Sequence, residues 1–364
     1  MAAELSRPAA PLPAGSGRPA AGWTPPQARP RAARAWLAAT VTLTAGAAAA
    51  AIALAPPAGA PAPAGLSFLL FAGSSVHVAS TGWFYTVPEV RAHMRRNRAR
   101  YLWWPLALIA GAGAIAMLLP QAALYWLLLP YFGWQFWHYG RQNLGLAALA
   151  ASAHGVAPLS RPERRSLAAA AAAGIAALLA RPGLLQLPAR AAIPGLFSLA
   201  AAAFAASVLF GTGCLLSRPG AQRPPGFCLA YLTSLAFSLP VFLFTSPYAA
   251  VAGLTIAHGL QYLLLMVLVA AGGAGRAGQL AMLANIALAG GAVLSVASDQ
   301  LTAGPVLRAL FGVFAGAVMA HFVVDAGLWR LRADFPRAFL RDRLPYLLAA
   351  PGIPAADRSP GDIG

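Results

Sequence analysis

Four histidines lie inside long apolar stretches of this chain, and each is followed four residues later by a side chain that can hydrogen-bond. The pairs are His77 with Thr81, His138 with Gln142, His258 with Tyr262, and His321 with Asp325. A spacing of four puts both members on one helix face, one turn apart. Imidazole is expensive in hydrocarbon, so an intramembrane histidine marks a functional position by default. Four of them with matched neighbours predict the ligands of one buried metal. The neighbours predict a supporting layer, because a ligating imidazole usually donates its other ring N–H to an oxygen acceptor.

Neutral imidazoles suit Fe, Cu, Zn or Ni better than Mg or Ca, which want oxygen. Catalytic zinc usually takes three protein ligands, and structural zinc often takes sulfur. An all-nitrogen centre inside lipid, within reach of O2 and apolar molecules, points to non-haem Fe(II) and oxygen chemistry. The chain offers no nucleophile motif, no glycine-rich phosphate loop and no carboxylate pair. Tyr262 is the candidate catalytic proton donor. Its His258-Gly-Leu-Gln-Tyr262 spacing is also found at the copper site of haem–copper oxidases, but the adjacent His-His pair of such a site is missing. Asp325 is the single clear carboxylate in an apolar run, so it should be paired or protonated. His321, Arg141 or a histidine from a neighbouring helix are its natural partners.

The densest stretch is 131–145. There Gln135, His138 and Gln142 share a face, and Gly145 would allow close backbone approach one turn further on. Gln135 and Arg141 therefore join Thr81, Gln142 and Asp325 as candidates to support the ligands. Arg141 and Asn143 are costly against lipid and should face protein or a cytoplasmic vestibule. The aromatic run before His138 would suit a flat, apolar, conjugated substrate. His93 and His154 lie in or beside basic loops, where solvated histidines are expected.

The elements that must position these residues are apolar helices. The 364 residues are 59% hydrophobic and 10% charged, with mean hydropathy +0.65. Apolar runs recur at about 35–55, 66–87, 102–119, 122–150, 166–187, 192–216, 226–246, 248–271, 278–297 and 305–330. They predict an all-α polytopic membrane protein with about ten transmembrane helices, since lipid requires each spanning backbone to satisfy itself. A +17 charge would suggest nucleic acid in a soluble protein. Here the arginines fall in short loops after even-numbered runs and in both tails. Positive-inside then places both termini in the cytoplasm and excludes a nucleic-acid partner. The loops after odd-numbered runs are nearly bare apart from Arg181 and Arg190.

Residues 1–34 read as a disordered Pro/Ala/Arg-rich tail, 35–330 as the transmembrane domain and 331–364 as a cytoplasmic tail. The long leader argues against a cleaved signal peptide at the first run. Absent lysine and abundant alanine look like GC-rich bacterial codon usage, hence a bacterial cytoplasmic membrane. Cys214 and Cys228 lack metal-site or disulfide spacing and should be reduced. On this topology the four histidines sit roughly 10 to 17 residues into parallel helices, near one depth of a core about 30 Å thick.

Membrane desaturases and hydroxylases hold iron with clustered HxxxH and HxxHH motifs, which this chain lacks. With dispersed histidines, a similar span number and an aromatic run before Trp137-His138-Tyr139, it resembles the Brp/Blh family of membrane β-carotene 15,15′-dioxygenases over much of 66–330. That resemblance implies a multi-span helical enzyme with a histidine-held non-haem iron, acting on an apolar, carotenoid or isoprenoid substrate and O2. The stretch from Gln142 to Gly145 and the ending from His321 to Arg330 depart from that family's pattern, which bears on carotene more than on the metal. Two other readings stay open. One is an electron-transfer protein with b-type haem held by histidine pairs, its propionates met by Arg141 or Arg330. The other is a transporter or scaffold with a polar midplane site.

Overall fold

The computed structural model describes residues 28–57, 60–188 and 195–348, with side chains described from residue 31. Residues 1–27, Arg190 and residues 349–364 lie outside them. Every regular element among the described residues is helical.

In chain order the principal helices are α1 (Ala28–Ala53), α2 (Ala64–Tyr85), α3 (Pro88–Arg96), α4 (Ala99–Leu118), α5 (Gln121–Ala153) and α6 (Arg161–Ala180). After these come α7 (Leu196–Leu216), α8 (Pro225–Leu235), α9 (Tyr248–Ala271), α10 (Arg276–Ser298), α11 (Pro305–Leu328) and α12 (Asp334–Arg343). Seven of them are long and apolar enough to cross a membrane: α1 from Arg31, α2, α4, α7, α9, α10 and α11. The remaining three of the ten apolar runs form α5, α6 and the broken pair Pro225–Leu235 and Leu239–Leu243. These do not reach that standard. In α5 the polar residues around His138 dilute the hydropathy of a helix about 50 Å long.

Two boundaries differ from the sequence expectation. Helix α1 begins at Ala28, so its first turns take in residues assigned to the tail. At the other end, residues 331–348 are not a free tail. Helix α12 folds back so that Arg343 pairs with Glu89 of α3 and donates to the Val269 carbonyl at 3.3 Å, while Phe339 packs on Phe84. His93, expected in solvated loop, sits within α3 and stacks on Phe335 at 4.1 Å between ring centroids.

Without a strong hydrophobic drive between helices in lipid, close packing by small residues holds them together. In α11 the Gly312-x-x-x-Gly316 pair lies against α4: a Cβ on Gly316 would stand 2.6 Å from Ile109 Cα. At the far end of the same seam, buried Arg308 donates to the carbonyls of Ala116 and Leu119, both at 2.7 Å. It thereby satisfies orphan acceptors at the end of α4. The crossing of α2 and α9 is tighter still. A Cβ on Gly259 would stand 2.5 Å from Gly73 Cα, and one on Gly73 would stand 2.5 Å from Ile256 Cα.

Gly145, expected to permit close approach, has nothing within 4 Å of a Cβ built on it. The pair gives a matched test. Gly259→Ala should destabilise the detergent-solubilised protein by about 1–3 kcal/mol or more, because backbone cannot move aside as a side-chain end can. Gly145→Ala should be neutral or slightly stabilising. Thermal unfolding of the two variants reads the contrast, and equal melting would mean the helices do not cross at Gly259.

Candidate metal centre

The Gly73–Gly259 crossing sets the site. Gly259 directly follows His258, and Gly73 precedes His77 by one turn, so backbone contact there brings both imidazoles to one point. Helix α2 is underwound and widened at that spot: Ala72–Val76 forms a π-helical turn ending just before His77. One extra residue per turn rotates everything after it, and such bulges recur at functional positions.

Helices α5 and α11 bring the other two rings. Each imidazole packs edge to face on two others, with centroid distances of 5.0 Å for His77–His258, 5.1 Å for His258–His138, 5.2 Å for His138–His321 and 5.0 Å for His321–His77. The four rings thus close a square. One nitrogen each from His77, His258 and His321 lies within 4.8 Å of the other two, and the same holds for His138, His321 and an oxygen of Asp325. Two ligands about 2.1 Å from one ion are at most about 4.2 Å apart, so small side-chain shifts would suffice to bind it.

The polar inventory favours an ion. Both nitrogens of His77, both of His258, and Nε2 of His138 and of His321 are buried with no hydrogen-bond partner among the described residues. Buried polar atoms are otherwise nearly always paired. Nitrogen and carboxylate donors at ligand spacing, in two groups that share His321, are what a transition metal would take.

Asp325 stands closer to the centre than a supporting residue needs to. Its Oδ2 is 3.5 Å from His321 Nε2 and 3.9 Å from His138 Nε2, which is roughly the spacing of two donors to one ion. Its Oδ1 accepts from the Tyr262 hydroxyl at 2.9 Å. That hydroxyl is also 2.9 Å from Thr81 Oγ1, which in turn lies 2.6 Å from His321 Nδ1. With the Tyr262 hydroxyl donating to Asp325, the chain has one direction: Thr81 donates to Tyr262, and Nδ1–H of His321 to Thr81. His321 then presents an unprotonated Nε2 to the centre. The tautomer follows from the network.

The structure brings the four histidines of the sequence reading together and keeps Asp325 beside His321, but two of the other matched neighbours serve different partners. Thr81 serves His321 on α11, not His77 on its own helix. Gln142 touches no imidazole; it donates to the His258 carbonyl at 3.0 Å and to Gln261 Oε1 at 2.9 Å. Gln135 reaches the site only through Tyr139, donating to its hydroxyl at 2.6 Å. Arg141 is exposed and does not pair with Asp325. Same-face spacing puts two residues side by side along a helix, whereas an imidazole aimed inward meets the helix opposite.

Three residues escaped the sequence reading. Tyr139 stacks on His258 at 4.0 Å, and Phe322 stacks on His138 at 4.4 Å. Gln261 links Gln142 to Thr44 of α1, donating to the threonine at 2.6 Å. Gln261 was visible as a polar residue in an apolar run, three positions after His258. The two aromatic residues each directly follow a site histidine, a signal that base composition alone hides. His154, by contrast, is remote from the square and is bound to the Ala150 carbonyl at 2.9 Å.

No protein-family model, curated protein or solved structure matches this chain.

Thr81→Val keeps the side-chain shape but removes the hydroxyl that joins His321 to Tyr262. It should cost about 1–3 kcal/mol by leaving buried groups unpaired, and Thr81→Ser should restore most of it. Melting curves for the two variants check this, and an unchanged Thr81→Val curve would dissolve the proposed chain of hydrogen bonds.

Proposed function

We propose that this chain is a membrane-embedded, non-haem iron oxygenase acting on an apolar, carotenoid- or isoprenoid-like substrate. The observation that carries the reading is the square of four buried imidazoles with unpartnered nitrogens. His77, His258 and His321 would hold the metal, with His138 and Asp325 completing the donor set on the more open side. The proposed topology has ten spans with both termini in a bacterial cytoplasm. Its support is the arginine distribution together with one helical or broken-helical segment for each apolar run.

A bound Fe(II) would supply activation of O2 for oxidising the substrate. The protein's own contribution is positional. His258 and His77 are 0% and 3% exposed, which keeps bulk water from the centre. Tyr262 holds its proton at the hydroxyl, directed at Asp325 Oδ1 one hydrogen bond from the donor set. It is the group placed to move a proton into the site. Thr81 fixes the His321 ring, and the His258 ring is fixed by stacking on Tyr139.

The haem alternative fits less well. Axial imidazoles on a haem are separated by the porphyrin plane, but these rings touch edge to face around the whole square and leave no slot for a macrocycle. A transporter's polar midplane site would account for the burial but not for six unpartnered nitrogens in one cluster of rings.

Metal analysis of the purified protein should find about one iron per chain and no Soret band. Alanine at any one of His77, His138, His258 or His321 should abolish stoichiometric metal in a folded protein, whereas His93→Ala and His154→Ala should retain it. Equal retention in all six variants rejects the assignment. Asp325→Asn preserves an acceptor for Tyr262 while removing the charge. It should weaken iron binding by more than the about 10–100-fold typical of a residue that only supports a ligand, and an unaltered affinity would place Asp325 outside the centre.

A further inference from the structure

The square is sealed on three sides and opens on one. The His138 side chain is 12% exposed while that of His321 is 1% exposed. An aromatic wall runs from that edge to the protein surface: Phe322 stacks on His138, and Trp134 packs against Phe322 at 5.6 Å. Trp134 and its neighbour Trp137 are 37% and 42% exposed, midway along α5, where an interfacial belt of tryptophans would not place them. One turn beyond His138, on the same flank of α5, stands Arg141. It is exposed and makes no hydrogen bond or ion pair with any described residue.

We infer that the seam between α5 and α11 is the lateral entry for the substrate, and that the substrate is an amphiphile whose anionic head binds Arg141 while its apolar chain passes Trp137 and Trp134 to His138. The inference rests on the membrane embedding and topology proposed above, and it narrows the substrate class of the same site. Depth supports it. Arg141 lies about 4.5 Å closer to the cytoplasm than His138, and α11 ends at Leu328, about two turns beyond His321. From there a guanidinium on its three-methylene stem reaches the inner headgroup layer. An unpaired arginine beside an apolar channel is charge-complementary to a carboxylate or phosphate, which its planar fork grips with two bonds. A neutral hydrocarbon would leave that charge unanswered.

The test uses the full chain in nanodiscs of uncharged phosphatidylcholine, at alkaline pH. The probes are stearic acid carrying a mid-chain nitroxide and its methyl ester. The nitroxide quenches tryptophan fluorescence, and subtracting the Trp134→Phe/Trp137→Phe variant isolates the seam. The acid should quench this component saturably. Arg141→Gln should weaken the acid by about tenfold, roughly one charge-assisted contact, Arg141→Lys should retain most of the affinity, and the ester should bind wild type only as well as the acid binds Arg141→Gln. Equal affinity of acid and ester, or no effect of Arg141→Gln, overturns the anionic head. Non-saturable quenching at the level of bulk lipid overturns the entry. Metal content is measured separately on the same preparations, and quenching is repeated after chelation. A chain without iron that still binds the acid therefore rejects the oxygenase and keeps the seam.

Discussion

Imidazole nitrogens buried in a low-dielectric interior without partners are the constraint on which the rest of this structure depends. Six of them belong to four rings packed edge to face on one another. Each is a group whose desolvation costs more than an ordinary hydrogen bond returns, so local packing preference cannot account for gathering them. The surrounding helices are arranged to hold the rings there. A glycine-to-glycine crossing, which no larger residue would permit, fixes His258 against His77, and a π-helical turn aims His77 inward. On the other side a one-way chain of hydrogen bonds ends at the single carboxylate and sets the tautomer of His321.

The second polar layer stiffens the bundle rather than the rings. Thr44, Gln261, Gln142 and the His258 carbonyl connect α1, α9 and α5 by side-chain bonds of 2.6–3.0 Å. Individual bonds of this kind contribute about 1 kcal/mol between transmembrane helices, so their weight lies in orientation more than in stability. Gln142 illustrates this: by gripping backbone it fixes where His258 starts on its helix, and the ring follows. Aromatic stacking by Tyr139 and Phe322 then restricts the rings that the hydrogen bonds leave free to rotate.

What could be seen in the sequence follows the same physics. Histidine is so costly inside an apolar run that four such residues stood out singly, and all four belong to the square. The helical class was equally legible, because hydropathy reports it directly. Partnership was not legible. The spacing of four correctly placed Thr81, Tyr262 and Asp325 near the centre, yet Thr81 and Tyr262 act across helices, and Gln142 binds backbone instead of a ring. Which helices face one another depends on close contacts such as Gly73 with Gly259, and nothing in a single sequence distinguishes these from Gly145, which has no neighbour within 4 Å of an added Cβ. The span number is legible only in part: seven helices reach the length and apolarity of a membrane span, and in α5 the site residues themselves lower the hydropathy.

The asymmetry of the square bears on what can reach it. If all four rings were equally buried, the centre could be a structural staple, with the ion contributing only to stability. Instead three rings are sealed, and His138 lies at an edge whose wall is aromatic as far as the surface. The same edge carries Asp325, whose Oδ2 lies 3.9 Å from His138 Nε2 and 3.5 Å from His321 Nε2. Donors on the sealed side can be held rigidly by packing, while those on the open side can move without disturbing the helix crossing. Such a division would let the site keep a bound ion in place and still admit a reactant, which the proposed catalytic role requires and a structural one does not. The open side faces the packing of α5 on α11 at Phe322 and Trp134 instead of the helix ends, so on the proposed membrane embedding the approach to the centre would be from the bilayer.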